Sequence, residues 1–466
     1  MSALRSSLRF FPVGIALLCV QLDFFSLGLA MPTIAKGLGY QVTDLQWLVS
    51  AYLLAIGAFT IPAGRIGDLV GRRRTLIVGL ALFAITSLIC GLSTELVPLV
   101  ISRAVQGIGA ALIIPNAFAL ISNDTTPRER PEVVGAMIGL SGVGTALGPV
   151  VGGVFASTVG WQWVFWINVP LAVVAILGSL RVHESRNDAI DRSLASIDWW
   201  GAITVMLGLT LLSLGIDNIG PYGWRSVLTW GLMIAGIAGL VVFALVERRA
   251  ANPLVHPRLL RNRPYVALIA VGTIGNMGVN IFILMATFDL QVIRGFPAQQ
   301  AGLLFVSGSV GVALSGPVGG WLCARFPATR VLAFATIVGA GGLTLISTAS
   351  ILPVYLAALA LAGLACGMAY SVTQIGVQSV VPPQQSGEAT SFMLMPLIAL
   401  GGLAVVITSG IVEQIGGGTP TAGGVSVVLL GSAAVMAVAG AALLLGERMG
   451  LLHDADATAP APATPA

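Results

Sequence analysis

Apolar runs of about 20 residues recur along this chain, separated by short polar segments rich in arginine. A run of that length crosses the ~30 Å hydrocarbon core of a bilayer as a helix. Fourteen such spans are expected, near 11–32, 47–67, 75–94, 97–121, 133–157, 162–180, 199–217, 227–246, 265–287, 298–322, 330–349, 353–379, 389–412 and 422–446. The fold class this predicts is all-α and integral to the membrane. Two six-helix bundles, 1–180 and 264–452, flank cytoplasmic linkers and two extra helices at 181–263. The Ala/Pro-rich tail 453–466 is expected to be disordered.

Composition agrees with the pattern. The chain is 56% hydrophobic and 9% charged, where soluble domains carry about 25% charged residues. The net charge of +4 therefore says nothing about nucleic acid, and none is expected as a partner. Cys19, Cys90, Cys323 and Cys366 fall inside apolar runs and read as small buried hydrophobes rather than disulfides or metal ligands. His183, His256 and His453 fall in loops or the tail, so a proton moving within the membrane must ride on a carboxylate. No nucleophile–base constellation, Walker loop or metal-ligand set is present, which argues against an enzyme, a resident cofactor and ATP-driven transport.

Charge tests the span count. With the N-terminus inside and the spans alternating, the outside segments hold only Lys36, Arg225 and Arg294, and Arg103 lies within a span. The other nineteen of the 23 basic residues fall inside, as the positive-inside rule requires. Both termini are expected in the cytoplasm. Arg5 and Arg9 mimic the basic head of a signal peptide, but no small-residue cleavage pattern follows, so span 1 is expected to be retained.

The halves repeat. Pro62-x-Gly64 and Pro317-x-Gly319, toward the ends of spans 2 and 10, stand at an offset of 255, and Gly107 matches Gly363, and Pro127 matches Pro383, at 256. Parallel halves with a site between them near the midplane are a transporter architecture.

Four stretches carry candidate chemistry. Span 1 holds one carboxylate, Asp23, in a run of about two dozen apolar residues. An ionised Asp there costs roughly 2.5–3.5 kcal/mol on insertion scales, so it faces a wet cavity, pairs with a cation or carries a proton, or else it is a helix-packing Asp satisfied by hydroxyls and amides. Arg103, in span 4, is a candidate neighbour for span 1 or else snorkels to the interface. The loop GRIGDLVGRRR places Gly64, Gly67 and Gly71 for a tight turn, with Asp68 and Arg72 able to form a charge network that breaks as the halves rock. In span 5, Gly144, Gly148 and Gly152 share one face for close helix approach, and Pro149 permits a bend.

Polar stripes suggest a cavity. Thr273, Asn276 and Asn280 lie at i, i+3 and i+7 on span 9, and Tyr370, Gln374 and Gln378 at i, i+4 and i+8 on span 12. With Phe24, Phe25, Asn116 and Met277 they would line a site for bulky amphipathic molecules, or they are plain interhelical hydrogen bonds. Asp289 and Glu413 read as water-exposed carboxylates at the outer rim, with a second proton or cation site as the other reading.

These motifs resemble those of the major facilitator superfamily, specifically its fourteen-span drug/proton antiporters. GRIGDLVGRRR is similar to the family's loop motif between spans 2 and 3, RAVQGIGAA to its span-4 motif, and GVGTALGPVVGG to its span-5 antiporter motif, which marks exporters. The likeness covers essentially the whole chain. It implies that Asp23 couples protons with Arg103 as partner, that Gly64, Asp68, Gly71 and Arg72 belong to a cytoplasmic gate, and that Gly148 and Pro149 belong to the antiporter helix.

The implied function is export of lipophilic, often cationic, drugs from the cell across the inner (cytoplasmic) membrane by a monomer that needs no cofactor beyond the proton gradient. A dedicated exporter of one metabolite, antibiotic or lipid is the alternative, and a nutrient symporter is disfavoured by the span-5 motif. Two departures stand out. Span 1 has Phe24-Phe25-Ser-Leu-Gly in place of the family's Thr-Ile-Val-Asn run. Span 13 lacks an interior carboxylate, which weighs against dicationic cargo.

Overall fold

A computed structural model describes residues 2–40, 44–185, 198–219, 223, 225–250, 257–382, 385–417 and 420–451. The tail 453–466, His256, Arg186 and Arg192 lie outside the described residues, as do the side chains of Pro149, Arg258 and Glu413.

The first bundle comprises α1 (Ser2–Leu38), α2 (Gln46–Val70), α3 (Arg72–Leu92), α4 (Leu96–Asn123), α5 (Arg130–Thr158), α6 (Trp163–Trp166) and α7 (Asn168–Ser179). A hairpin follows, α8 (Trp199–Asp217) and α9 (Val227–Glu247). After the short α10 (Pro257–Arg261), the second bundle comprises α11 (Arg263–Phe288), continued by a π-helical turn (Asp289–Ile293), α12 (Ala298–Cys323), α13 (Ala328–Thr348), α14 (Leu352–Val380), α15 (Ser386–Ile415) and α16 (Ala422–Arg448). Local chemistry sets the ends. Gly71, at φ +121°, turns the chain between α2 and α3. Side chains of Asp198, Ser226, Asn262 and Thr421 cap α8, α9, α11 and α16 by accepting from backbone N–H groups of the first turn.

Among the described residues, twelve helices are long and apolar enough to cross a membrane by length and composition, against fourteen expected spans. The two remaining runs form shorter apolar helices, Trp163–Ser179 and Trp200–Ile216. The first is broken at Ile167 into α6 and α7. Pro170 has no N–H to give the Trp166 carbonyl, so the helical ladder is interrupted there. The second is bounded by the charged residues Asp198 and Asp217.

The two bundles pack alike. α1 lies on α5 as α11 lies on α15, and α2 on α4 as α12 on α14. A Cβ on Gly107 would strike Tyr52, and one on Gly363 would strike Gly308. The contacting positions are the same in the two bundles, 107 and 52 against 363 and 308, each at an offset of 256.

Among the described residues, the cores that the bundles share lie on one half. On the half carrying Arg72–Arg74, cores are shared: Ile61 and Leu69 of α2 join Leu209 and Phe243 of the hairpin and Phe392 of α15, while Ile114 of α4 packs on Tyr265, Met393 and Leu394. On the opposite half each bundle keeps its own core, Leu27, Ile34, Leu48, Leu99 and Phe165 in one, Phe282, Met285, Leu343, Tyr355 and Met436 in the other. There α2 and α15 part, and α8 lies beside them. A cavity of about 70 Å³ lies among Gly57, Leu209, Ser213, Met395 and Gly402. α9 rides outside α8 with Ile234, Ile237, Val241 and Leu245 exposed.

Candidate functional site

Asp23 sits on the segment of α1 that packs on the glycine face of α5. A side chain on Gly144 would meet the Leu18 carbonyl, one on Gly148 would meet Phe25, and one on Gly152 the Ser26 carbonyl. The face predicted for close approach therefore receives the segment of α1 that carries the acid. Gly135, Gly139 and Gly142 form a second face of α5, closed on Gly316, Pro317 and Ala313 of α12. α5 thus joins the acid-bearing helix to the other bundle.

The carboxylate of Asp23 is 1% exposed and fully engaged. Its Oδ2 accepts from Arg103 Nη1 at 2.5 Å. Its Oδ1 accepts from Gln106 Nε2 at 3.0 Å and from Asn168 Nδ2 at 2.9 Å. Arg103, 0% exposed, also donates through Nη1 to Gln106 Oε1 at 2.6 Å and through Nε to the Leu48 carbonyl at 3.2 Å. Its guanidinium lies 4.2 Å above the centre of the Tyr52 ring. Gln106 Nε2 further donates to Ser87 Oγ at 2.6 Å.

The pair is neutral as a whole, which is what makes its burial tolerable, since an unpaired charge in this setting would carry several kcal/mol of desolvation. Every partner of Asp23 is a donor, a shell complementary to the ionised carboxylate. Arg103 does not snorkel.

A second charged cluster joins the bundles on the arginine half. Arg72 donates to Asp68 Oδ1 from Nε at 3.0 Å and from Nη2 at 2.7 Å, and both side chains are buried. Asp68 faces Gly387 at the N-terminus of α15, where a Cβ would come within 3.1 Å of Oδ1. Gly64 faces the Gly387 carbonyl and Ser391. Helix N-termini favour a nearby carboxylate. Around this cluster Arg130 Nη1 donates to the Gln378 carbonyl at 2.9 Å, and Asn123 Nδ2 to Ser386 Oγ at 3.5 Å. Glu184 caps α3 by accepting from the backbone N–H groups of Arg73 and Arg74 at 2.9 and 3.2 Å, and it lies against Gly71.

The expected cavity residues separate into two groups. Phe24 and Phe25 are half-buried and edge-to-face at 5.0 Å, with Phe24 stacked on Tyr52. Asn276, Met277, Asn280 and Tyr370 are half-buried too, Asn276 donating to the Leu397 carbonyl at 2.9 Å. Asn116, Gln374, Gln378 and Thr273 do not line an open cavity here. Asn116 is wedged against Gly67 and donates to the Ala63 carbonyl at 3.2 Å. Gln378 donates to Thr390 at 2.7 Å, Gln374 to the Tyr370 hydroxyl at 3.3 Å, and Thr273 is buried. Those four belong to the closed half, where the bundles press together and leave a polar stripe no open face. Asp289, expected to be a water-exposed rim residue, is instead ion-paired with Arg294 at 2.6 Å. Arg294 also lies over the Tyr355 ring.

Asn168, Ser87, Tyr52 and Glu184 were not anticipated, and Gln106 only as part of a motif. A lone amide in the apolar run Phe165–Leu171 was the available signal for Asn168.

Residues 13–404 match the Major Facilitator Superfamily. The chain is 29% identical over 381 residues to the multidrug transporter protein MdtP of Bacillus subtilis, covering 81% of this chain and 70% of that one. It is 30% identical over 388 residues to the multidrug resistance protein Stp of Mycobacterium tuberculosis, covering 82% and 71%. It is 31% identical over 320 residues to the tetracenomycin C resistance and export protein of Streptomyces glaucescens, covering 67% and 58%. The crystal structure of the human organic anion transporter MFSD10 superposes with a TM-score of 0.62 at 17% identity, over 96% of this chain and 99% of that one, a likeness of fold.

Proposed function

The chain belongs to the Major Facilitator Superfamily, and from that premise we propose that it is a proton-coupled antiporter exporting lipophilic, often cationic, drugs across the cytoplasmic membrane. It is a multi-pass membrane transporter and not an enzyme. The observation that carries the coupling is the buried acid: Asp23 with Arg103, Gln106 and Asn168 closed around it.

In the mechanism we infer, the arginine-rich half faces the cytoplasm and α6–α7 and α8 also cross the membrane, making fourteen crossings with both termini inside. The described arrangement, closed at Asp68–Gly387 and parted at Gly57 and Gly402, is then outward-facing. A proton taken up by Asp23 from outside neutralises the carboxylate and loosens its hold on Arg103. Arg103 is then left in the apolar interior without its counter-ion, which destabilises the described arrangement, and the bundles rock to face inward. There the proton leaves and cargo binds the ionised site. Proton and cargo compete for one charge, so the gradient drives export, and the monomer needs no cofactor.

Drug-stimulated proton flux in proteoliposomes tests this. Wild type is expected to show it and Asp23→Asn to lose it, and equal flux in the two would overturn the reading. A dedicated exporter of a single compound is the second reading, favoured by the relative named for tetracenomycin C alone. Transport of several unrelated lipophilic cations would exclude it.

A further inference from the structure

The three donors to Asp23 are not held equally. Gln106 is clamped on both sides of its amide: Oε1 accepts from Arg103 Nη1, and Nε2 donates to Ser87 Oγ as well as to Asp23. Arg103 is held by the Leu48 carbonyl and the Tyr52 ring. Asn168 makes one side-chain hydrogen bond, Nδ2 to Asp23 Oδ1, and its Oδ1 is buried and meets no donor among the described residues.

A proton arriving on Asp23 Oδ1 turns that oxygen from acceptor into donor. It would then face two N–H groups. Gln106 cannot turn over without giving up its bonds to Arg103 and Ser87. Asn168 can, because the terminal torsion of an asparagine is broad and roughly two-fold, and its turned amide presents Oδ1 where Nδ2 was. In either orientation one atom of the amide is paired with Asp23 and the other is not, so neither setting is locked by a third group.

We propose that the Asn168 side-chain amide is the proton-sensing rotor of this site, donating to Asp23 when it is ionised and turning to accept from Asp23 when it is protonated. The step is balanced: one proton is added to Asp23 Oδ1, one N–H···O bond is exchanged for one O–H···O bond, and no covalent bond of Asn168 changes. The proposal rests on Asp23 being the proton carrier.

The ionisable neighbours are few. Arg103 stands on α4, Tyr52 on α2, Cys90 on α3 with its Sγ 4.0 Å from Gln106 Oε1, and Cys19 one turn before Asp23 on α1. Residues 139–158 of α5 and all of α6 and α7 carry no ionisable side chain. Asn168 is therefore the single polar group that α7 turns toward the acid among the described bonds. It stands at the joint between α6 and α7, where the helical ladder is already broken.

The test is infrared difference spectroscopy, alkaline minus acid, on the full chain in lipid nanodiscs. Wild type is expected to show a carboxylic-acid C=O band that disappears in Asp23→Asn. In Asn168→Val the acid proton has lost its acceptor, so the band moves to higher wavenumber. In Asn168→Thr, the same shape with a hydroxyl that can accept, it stays near the wild-type position. In Gln106→Leu it also stays, because Asn168 still accepts. A folding defect from the change of shape would strike Val and Thr alike, and Asn168→Leu, which branches at Cγ as asparagine does, then gives the same reading. An unmoved band in Asn168→Val or Asn168→Leu overturns the rotor while leaving Asp23 as proton carrier. Absence of any Asp23-dependent band overturns the carrier reading and the rotor with it.

Discussion

Asp23 Oδ2 and Arg103 Nη1 stand 2.5 Å apart with both side chains closed off from solvent, although 80 residues separate them in the chain. In the interior such a pair is costly to break from one side, about 3–5 kcal/mol, because the survivor is left charged and dry. Asp23→Asn should therefore lower thermal stability as well as abolish coupling. The double variant Asp23→Asn with Arg103→Gln should regain most of the stability and none of the proton-driven transport. Thermal unfolding in detergent, read beside proteoliposome flux, separates the two effects. A double variant as unstable as the single one would contradict this account.

The ring of Tyr52, rather than its hydroxyl, supports Arg103. The guanidinium lies over the ring at 4.2 Å, and the hydroxyl meets no hydrogen-bond partner among the described residues. Tyr52→Phe is expected to transport like wild type. Tyr52→Leu removes a desolvated cation–π contact worth about 2 kcal/mol and should impair both stability and transport. The ranking of the two in a drug-resistance assay at matched expression decides the point.

α1 and α5 approach so closely that α5 has no room for a side chain on its glycine face. Gly152 lies directly against the Ser26 carbonyl and Gly144 against that of Leu18. Because backbone cannot swing aside as a side chain can, Gly144→Val or Gly152→Val should cost at least the 1–3 kcal/mol typical of overpacking. Gly57→Ala, where a Cβ would meet nothing within 4 Å, should cost nothing and gain up to about 1 kcal/mol of helix propensity. Melting temperatures of the three variants provide the comparison.

If the bundles rock, the closed half must open in every cycle. Asn123 and Ser386 approach to 3.5 Å across that seam. Asn123→Cys combined with Ser386→Cys should cross-link readily under oxidation, arrest transport, and recover on reduction. Undiminished transport by the fully cross-linked protein would rule out opening at this seam.

Removing Asp68 should weaken the same closure, since the carboxylate ties Arg72 and faces the start of α15. Asp68→Asn is expected to raise labelling of a cysteine placed at Ser391 from the cytoplasmic side at least several-fold. Unchanged labelling would assign the closure to the glycine packing alone.

Much of this was legible beforehand. Asp23 stood out because it is one carboxylate in a long apolar run, and Arg103 because it is one cation in another. The loop glycines and Asp68 were visible from spacing. Asn168 was hidden because a lone amide in an apolar run does not show which helix it meets. Glu184 sits in a polar loop where a cap for α3 has no local sign. Gln374 and Gln378 read as cavity residues because a polar stripe shows that a face is polar, and not whether it meets cargo or another helix.

From its amino acids alone the chain settles that it lives in a bilayer, where its helices run, and which rare charges are carried into the apolar phase, because each follows from local transfer free energy. Which side of each helix turns inward does not, since helices that are apolar nearly all round have no face that water would select. Only packing decides that Gln106 and Asn168 close on Asp23, that the glycines of α5 receive α1, and that the two bundles meet at Asp68 and part at Gly57. Those are matters of steric fit and hydrogen-bond geometry between segments up to hundreds of residues apart.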